Sequence, residues 1–103
     1  MKKILIVDDE EEILKVGNKI FSEFGYRVRT AESGLKAIEM YRKDRADLVI
    51  LDLQMPGIDG RETLRQLKEI DPKVKALYIT GYARPEFLSA IEQTNEAEII
   101  QKP

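Results

Sequence analysis

The stretch Leu48-Val49-Ile50-Leu51-Asp52-Leu53-Gln54-Met55-Pro56-Gly57-Ile58-Asp59-Gly60 decides how the chain is read. Four aliphatics in a row, with no polar alternation, suit a strand buried on both faces, and such strands belong to parallel sheets covered by helices. The run meets an ionisable residue, Asp52, and then a Pro-Gly turn signal. An acid in that place is either a turn-former or a reagent. Leu53 still reads as strand, so the strand is expected over 48–53 with Asp52 inside its end.

The pattern has an earlier counterpart. Ile4-Leu5-Ile6-Val7 is a second continuous apolar run, and it too ends on acids, Asp8 and Asp9. Between the two runs, Ile13, Leu14, Gly17, Ile20, Phe21 and Phe24 recur at helical spacing, which predicts a helix from Glu10 to Phe24 with Gly25 as its stop. Tyr26 to Thr30 alternates apolar and charged residues and reads as a half-exposed edge strand. Ser33 caps a second helix to about Arg42, with Leu35, Ala37, Ile38 and Tyr41 as its buried side.

Past the opening stretch, Leu64, Leu67 and Ile70 mark a helix from about Gly60 to Ile70, ended by Asp71-Pro72. Ala76 to Thr80 is a fourth strand. Pro85 suits the first turn of a fourth helix running to about Gln93 and burying Phe87, Leu88 and Ile91. Ile99-Ile100 is a short last strand. The alternation predicts an α/β fold: a flavodoxin-like, doubly wound, five-stranded parallel sheet in the order 2-1-3-4-5. That order puts the two most apolar strands inside and the alternating strand at an edge. Residues 1–103 read as a single domain, without repeats or a linker.

Composition excludes several chemistries. There is no cysteine, hence no disulfide, thiolate metal site or cysteine nucleophile, and no histidine, hence no imidazole base or ligand. Seventeen Lys and Arg against nineteen Asp and Glu, interspersed, leave no basic stripe for direct nucleic-acid binding. Asp8 cuts the amino-terminal apolar run too short for a signal peptide or membrane span, so a cytoplasmic protein is expected.

In the predicted topology, strands one and three are neighbours, and ligands bind at the carboxyl ends of strands near the switch in winding direction. Asp8, Asp9 and Asp52 then share one rim. Two carboxylates ~5 Å apart repel by about 3 kcal/mol at an effective dielectric of ~20, which raises one pKa or recruits a cation. Hard oxygen ligands favour Mg2+. Thr80 closes strand four beside Gly81, and Lys102 closes strand five. Carboxylate, metal-binding acids, hydroxyl and ammonium together suit phosphoryl transfer onto a carboxylate. Each group has a plainer reading by itself. Asp9 with Glu12 makes a capping-box-like pattern at a helix start, Asp52 can open a turn, Thr80 is a common strand residue, and Lys102-Pro103 can be a solvated tail. Their joint placement at four strand ends is what favours chemistry.

These residues carry a resemblance. Ile4-Leu5-Ile6-Val7-Asp8-Asp9-Glu10, the stretch from Leu51 to Gly60, Ile79-Thr80-Gly81-Tyr82-Ala83 and Lys102-Pro103 together resemble the receiver domains of two-component response regulators. The resemblance implies that Asp52 accepts a phosphoryl group from a phosphohistidine on a histidine kinase or phosphotransfer protein. It implies Mg2+ (or Mn2+) bound by Asp9, Asp52 and the backbone carbonyl of Gln54, with Asp8 acting through water. Thr80 and Lys102 would contact the phosphoryl oxygens, and Thr80, Gly81, Tyr82 and Ile99 would form the switch region.

The chain departs from the family in two places. The position three before Lys102, often aromatic, is Ile99, and the chain stops at Pro103 where members continue into a fifth helix. The second departure leads to the expectation of an open apolar face, explained by truncation of a longer chain, by a helix borrowed through self-association (helix donation), or by a partner that fills the gap. The rival reading is a protein-binding module with this fold and no phosphoryl turnover. An aspartate-based phosphatase is weaker, since the position two after Asp52 holds Gln54 where such enzymes carry a second acid.

Overall fold

The computed structural model describes residues 2–53 and 55–80, and the strand backbone at 98–101; at 79–80 only backbone is described. Strand β1 is Lys3–Val7, β2 Arg27–Ala31, β3 Leu48–Asp52, β4 Ala76–Thr80 and β5 Glu98–Gln101. Helix α1 is Glu11–Glu23, α2 Gly34–Lys43 and α3 Gly60–Ile70. The strands form one parallel sheet in the order β2-β1-β3-β4-β5, as the sequence predicts. The fourth predicted helix, 85–93, lies outside the described residues.

Because side chains alternate along a strand, β1 and β3 serve two cores at once. Leu5, Val7, Val49 and Leu51 point to the face covered by α2 and α3, where they meet Ala37, Ile38, Tyr41, Leu64 and Leu67. Ile4, Ile6 and Ile50 point the other way, to Leu14 and Phe21 of α1. Helix α1 lies so close to the sheet that a Cβ on Gly17 would come 2.7 Å from Cδ1 of Ile6.

Local chemistry sets the element ends. Ser33 Oγ accepts from the Lys36 amide at 3.1 Å and caps α2, while Asp59 Oδ1 accepts from the Glu62 amide at 2.9 Å and caps α3. Helix α1 stops at Gly25, whose φ of +91° suits glycine. The Gly25 amide donates to the Ser22 carbonyl and the Tyr26 amide to the Phe21 carbonyl. These are the two bonds of a Schellman motif, and the accompanying apolar contact is the edge-on pair Phe21–Tyr26, with centroids 6.2 Å apart.

Four expectations need correction. Leu35 is 63% exposed, because the inner stripe of α2 is Gly34, Ala37, Ile38 and Tyr41 and the next position falls off it. Ile20 and Phe24 are exposed too, since α1 rests on Leu14, Gly17 and Phe21 and turns the row Val16-Ile20-Phe24 outward. The edge strand begins one residue later than Tyr26 and ends at Ala31, because the turn after α1 uses Tyr26. Strand β3 ends on Asp52 itself; Leu53 is buried but already bends away, its carbonyl accepting from the Gly60 amide. Among the described residues, no helix is long and apolar enough to cross a membrane.

Candidate functional site

The carboxyl edge of the sheet gathers the predicted acids. The last paired residues of β1 and β3 are Val7 and Leu51, so Asp8 and Asp52 stand one step further on, on adjacent strands. Both are buried, Asp8 at 2% and Asp52 at 5% exposure. Asp52 pairs in register with Ile79, which sets Thr80 one step past it at the end of β4. Thr80 pairs in turn with Gln101, the residue before Lys102, and Ile99 pairs with Tyr78. Lys102, Gly81, Tyr82 and Gln54 lie outside the described residues.

The first acid does two jobs. The Asp8 amide donates to the Ala31 carbonyl at 3.1 Å, extending the β1–β2 ladder by one bond. Its Oδ1 accepts from the Glu10 amide at 2.9 Å, and this local turn directs the chain into α1. Glu10, not Asp9, is the N-cap residue of α1, and it makes no side-chain cap bond. The capping box expected of Asp9 with Glu12 is therefore not formed, and Asp9 stays exposed at the edge. Glu11 and Glu12 occupy the first turn, where the helix dipole favours them.

The turn at Asp8 adds a residue the sequence reading passed over. Carboxylate oxygens of Asp8, Asp9 and Glu10 all lie within 4.8 Å of one another. By sequence Glu10 reads as a helix start, yet a bond from its amide to the side chain two residues back is the short-range signal that folds it toward the pair. A cleft of about 350 Å³ opens beside Asp9, between α1 and β2, with Glu11, Lys15, Thr30 and Glu32 along it. The larger cavity, about 480 Å³, lies at the opposite pole of the sheet beside Lys2, Tyr26 and Asp47; none of the clustered acids lines it.

The second acid is held from behind. After Asp52 the chain passes buried Met55 and the Pro56-Gly57 turn, where Gly57 has φ +80°. Pro followed by a positive-φ residue is the pattern of a type II turn. The loop returns through Asp59, and the Gly60 amide donates to the Leu53 carbonyl at 3.1 Å. The start of α3 is thereby bonded to the residue that follows Asp52.

Chemically, the edge offers hard oxygens and a concentration of negative charge. Two buried carboxylates on neighbouring strands, with Asp9 and Glu10 exposed beside the first of them, fit a small divalent cation of the Mg2+ type better than a soft metal.

Comparison with known proteins agrees with this geometry. A profile of the response regulator receiver domain matches residues 4–103. Sporulation initiation phosphotransferase F of Bacillus subtilis (strain 168) is 35% identical over 102 residues, 99% of this chain and 82% of that protein. The response regulator TrrA of Thermotoga maritima, crystallised in complex with Mg(2+)-BeF, superposes with a TM-score of 0.89 at 35% identity, covering 100% of this chain and 88% of that one. A CheY-like receiver domain protein from Methanospirillum hungatei JF-1 gives 0.91 at 31% identity, covering 100% and 82%. With sequence, sheet order and the acidic edge all in agreement, the chain belongs to the response regulator receiver domain family.

Proposed function

We propose that residues 1–103 form a single receiver domain that serves as the phosphoacceptor of a two-component phosphorelay, with Asp52 as the acceptor. Aspartate phosphorylation and Mg2+ binding are general features of the family. The observation that carries the reading for this chain is the buried Asp52 carboxylate, 5% exposed, one strand from the buried Asp8 at the same edge. Two buried carboxylates at one edge would favour binding of a cation there.

In the transfer step, an Asp52 carboxylate oxygen attacks the phosphorus of a phosphohistidine on a histidine kinase or phosphotransfer protein. A P–O bond forms as the P–N bond breaks, and the imidazole keeps the electron pair and takes a proton. Asp9, Asp52 and the Gln54 backbone carbonyl would hold Mg2+, and Asp8 would act on it through water. The bound ion supplies neutralisation of charge on the phosphoryl oxygens. Thr80 and Lys102 bind those oxygens from the ends of the next two strands. Preference of the phosphoryl group for one arrangement of Thr80, Gly81 and Tyr82 shifts the population between two states, with Ile99 in place of a rotating aromatic. Water then hydrolyses the acyl phosphate and resets the domain. In this reading the domain catalyses only its own phosphorylation and dephosphorylation, and the cytoplasm is the compartment in which the donor's phosphohistidine would be met.

Intact mass after incubation with acetyl phosphate tests this directly. One phosphoryl adduct is expected with Mg2+, and none with a chelator or in Asp52→Asn. A folded protein that takes no adduct in Mg2+ would move the reading to a protein-binding module.

A further inference from the structure

Two buried glycines sit in the core beneath α3, and they meet different kinds of obstacle. Gly34, at the start of α2, faces side chains: a Cβ there would overlap the Thr63 hydroxyl and come 2.7 Å from Cγ1 of Ile58. Gly60, at the start of α3, faces backbone: a Cβ there would overlap the carbonyl oxygen of Asp52 and come 3.0 Å from Cα of Leu53. Side chains can rotate away from an intruding atom. A strand end cannot, because its peptide units are tied into the ladder through Leu51–Val7 and Asp52–Ile79.

We propose that Gly60 is a positioning residue for the acceptor: its lack of a side chain lets α3 seat directly on the peptide that carries the Asp52 carboxylate. The Gly60 amide bond to the Leu53 carbonyl holds that seat closed, and the Asp59 side chain holds the first turn of α3 in line with it. A methyl group at 60 must push the strand end and the helix start apart. The displacement falls on Asp52 and on the loop that leads to Gln54, two of the groups assigned to the metal. The inference rests on the reading of Asp52 as acceptor. Ligand constellations tolerate displacements of only ~0.5 Å, so a small shift of this peptide weakens the site well before it unfolds the domain.

Gly34→Ala is the control, since it crowds the same core without touching the strand end. For wild type, Gly60→Ala and Gly34→Ala, three quantities are compared: the urea midpoint, the Mg2+ dissociation constant by titration calorimetry, and the metal-free amide resonances of Asp52 and Leu53. Both variants are expected to lose stability. Gly60→Ala is expected to weaken Mg2+ binding at least tenfold, slow adduct formation from acetyl phosphate, and shift the two resonances. Gly34→Ala is expected to keep the dissociation constant within twofold. Equal behaviour of the two variants overturns the inference while leaving the acceptor reading intact. A wild-type protein that neither binds Mg2+ nor takes the adduct overturns both. If Gly60→Ala does not fold, Asp59→Ala against Asp59→Ser carries the test, because serine removes the charge but keeps the cap oxygen. Weaker Mg2+ binding in the alanine variant than in the serine variant supports the seat, and equal binding overturns it.

Discussion

The two faces of the sheet are built from the same strands and end up unlike. Among the described residues, thirteen buried on the α2–α3 side make one continuous core that includes the enclosed Tyr41 and Tyr78. On the α1 side the buried set among those residues is four, Ile4, Ile6, Leu14 and Ile50, with Phe21, Val28 and Leu48 only partly covered. A helix with its side chains is ~10 Å across and strands lie ~4.8 Å apart, so one helix covers about two strands. Helix α1 packs on β1 and β3 and has apolar residues left over. Val16, Ile20 and Phe24, spaced by four, face solvent along its outer side. Helices α2 and α3 cover the side of the sheet that holds Leu51, next to Asp52, while the outer row of α1 leaves an apolar strip in solvent.

This contrast can be broken by experiment, most severely in the deeper core. Leu67, fully buried between α3 and the sheet, should cost about 3–4 kcal/mol when changed to alanine, while Leu14→Ala on the other face should cost about 2 kcal/mol. Urea unfolding of the two variants decides the matter, and equal losses would mean that the α1 face is packed as tightly as the α2–α3 face.

A smaller effect tests how the deep face is latched. The Tyr41 hydroxyl donates to Asp71 Oδ2 at 3.1 Å, and Asp71 in turn accepts from the Lys73 amide at 3.0 Å. Burial, then the bond to Asp71, pushes the Tyr41 pKa up from 10.0 to about 12. A raised folded-state pKa means the stabilisation is complete below pH ~10 and is lost as pH climbs toward ~12. Tyr41→Phe should therefore cost about 1 kcal/mol at neutral pH and reduce the alkaline loss of stability. Melting temperatures across pH 8 to 12 would expose an unchanged alkaline limb, which would show that Tyr41 is not its source.

The smallest effect is expected on the open face. Phe24, 78% exposed at the end of α1, should be replaceable by serine within about 0.5 kcal/mol. Light scattering at high concentration should show less self-association in that variant. A loss of 2 kcal/mol or more would mean that Phe24 is packed in solution after all.

Much of this was legible in the chain. Apolar runs ending on acids identified β1 and β3, because a strand buried on both faces has no room for polar alternation. Ser33 and Gly25 marked helix ends through hydrogen-bonding and backbone requirements that act over a few residues. What escaped were choices among apolar residues of equal credentials. Leu35 and Phe24 fit a helical repeat as well as Ile38 and Phe21 do, and only the direction in which each helix meets the sheet separated them. At the site, the role of Asp9 turned on which residue caps α1, and the helix began one residue later than a capping box requires.

The sequence by itself therefore determined the order of elements, the sheet type and the acids that close the central strands. These follow from side-chain periodicity and from backbone limits that are local to each segment. The tertiary structure decided which apolar stripe of each helix is the inner one, that Glu10 joins Asp8 and Asp9, and that the start of α3 rests on the Asp52 peptide with no side chain between them. Those are matters of distance between segments far apart in the chain, and a one-dimensional pattern carries no measure of it.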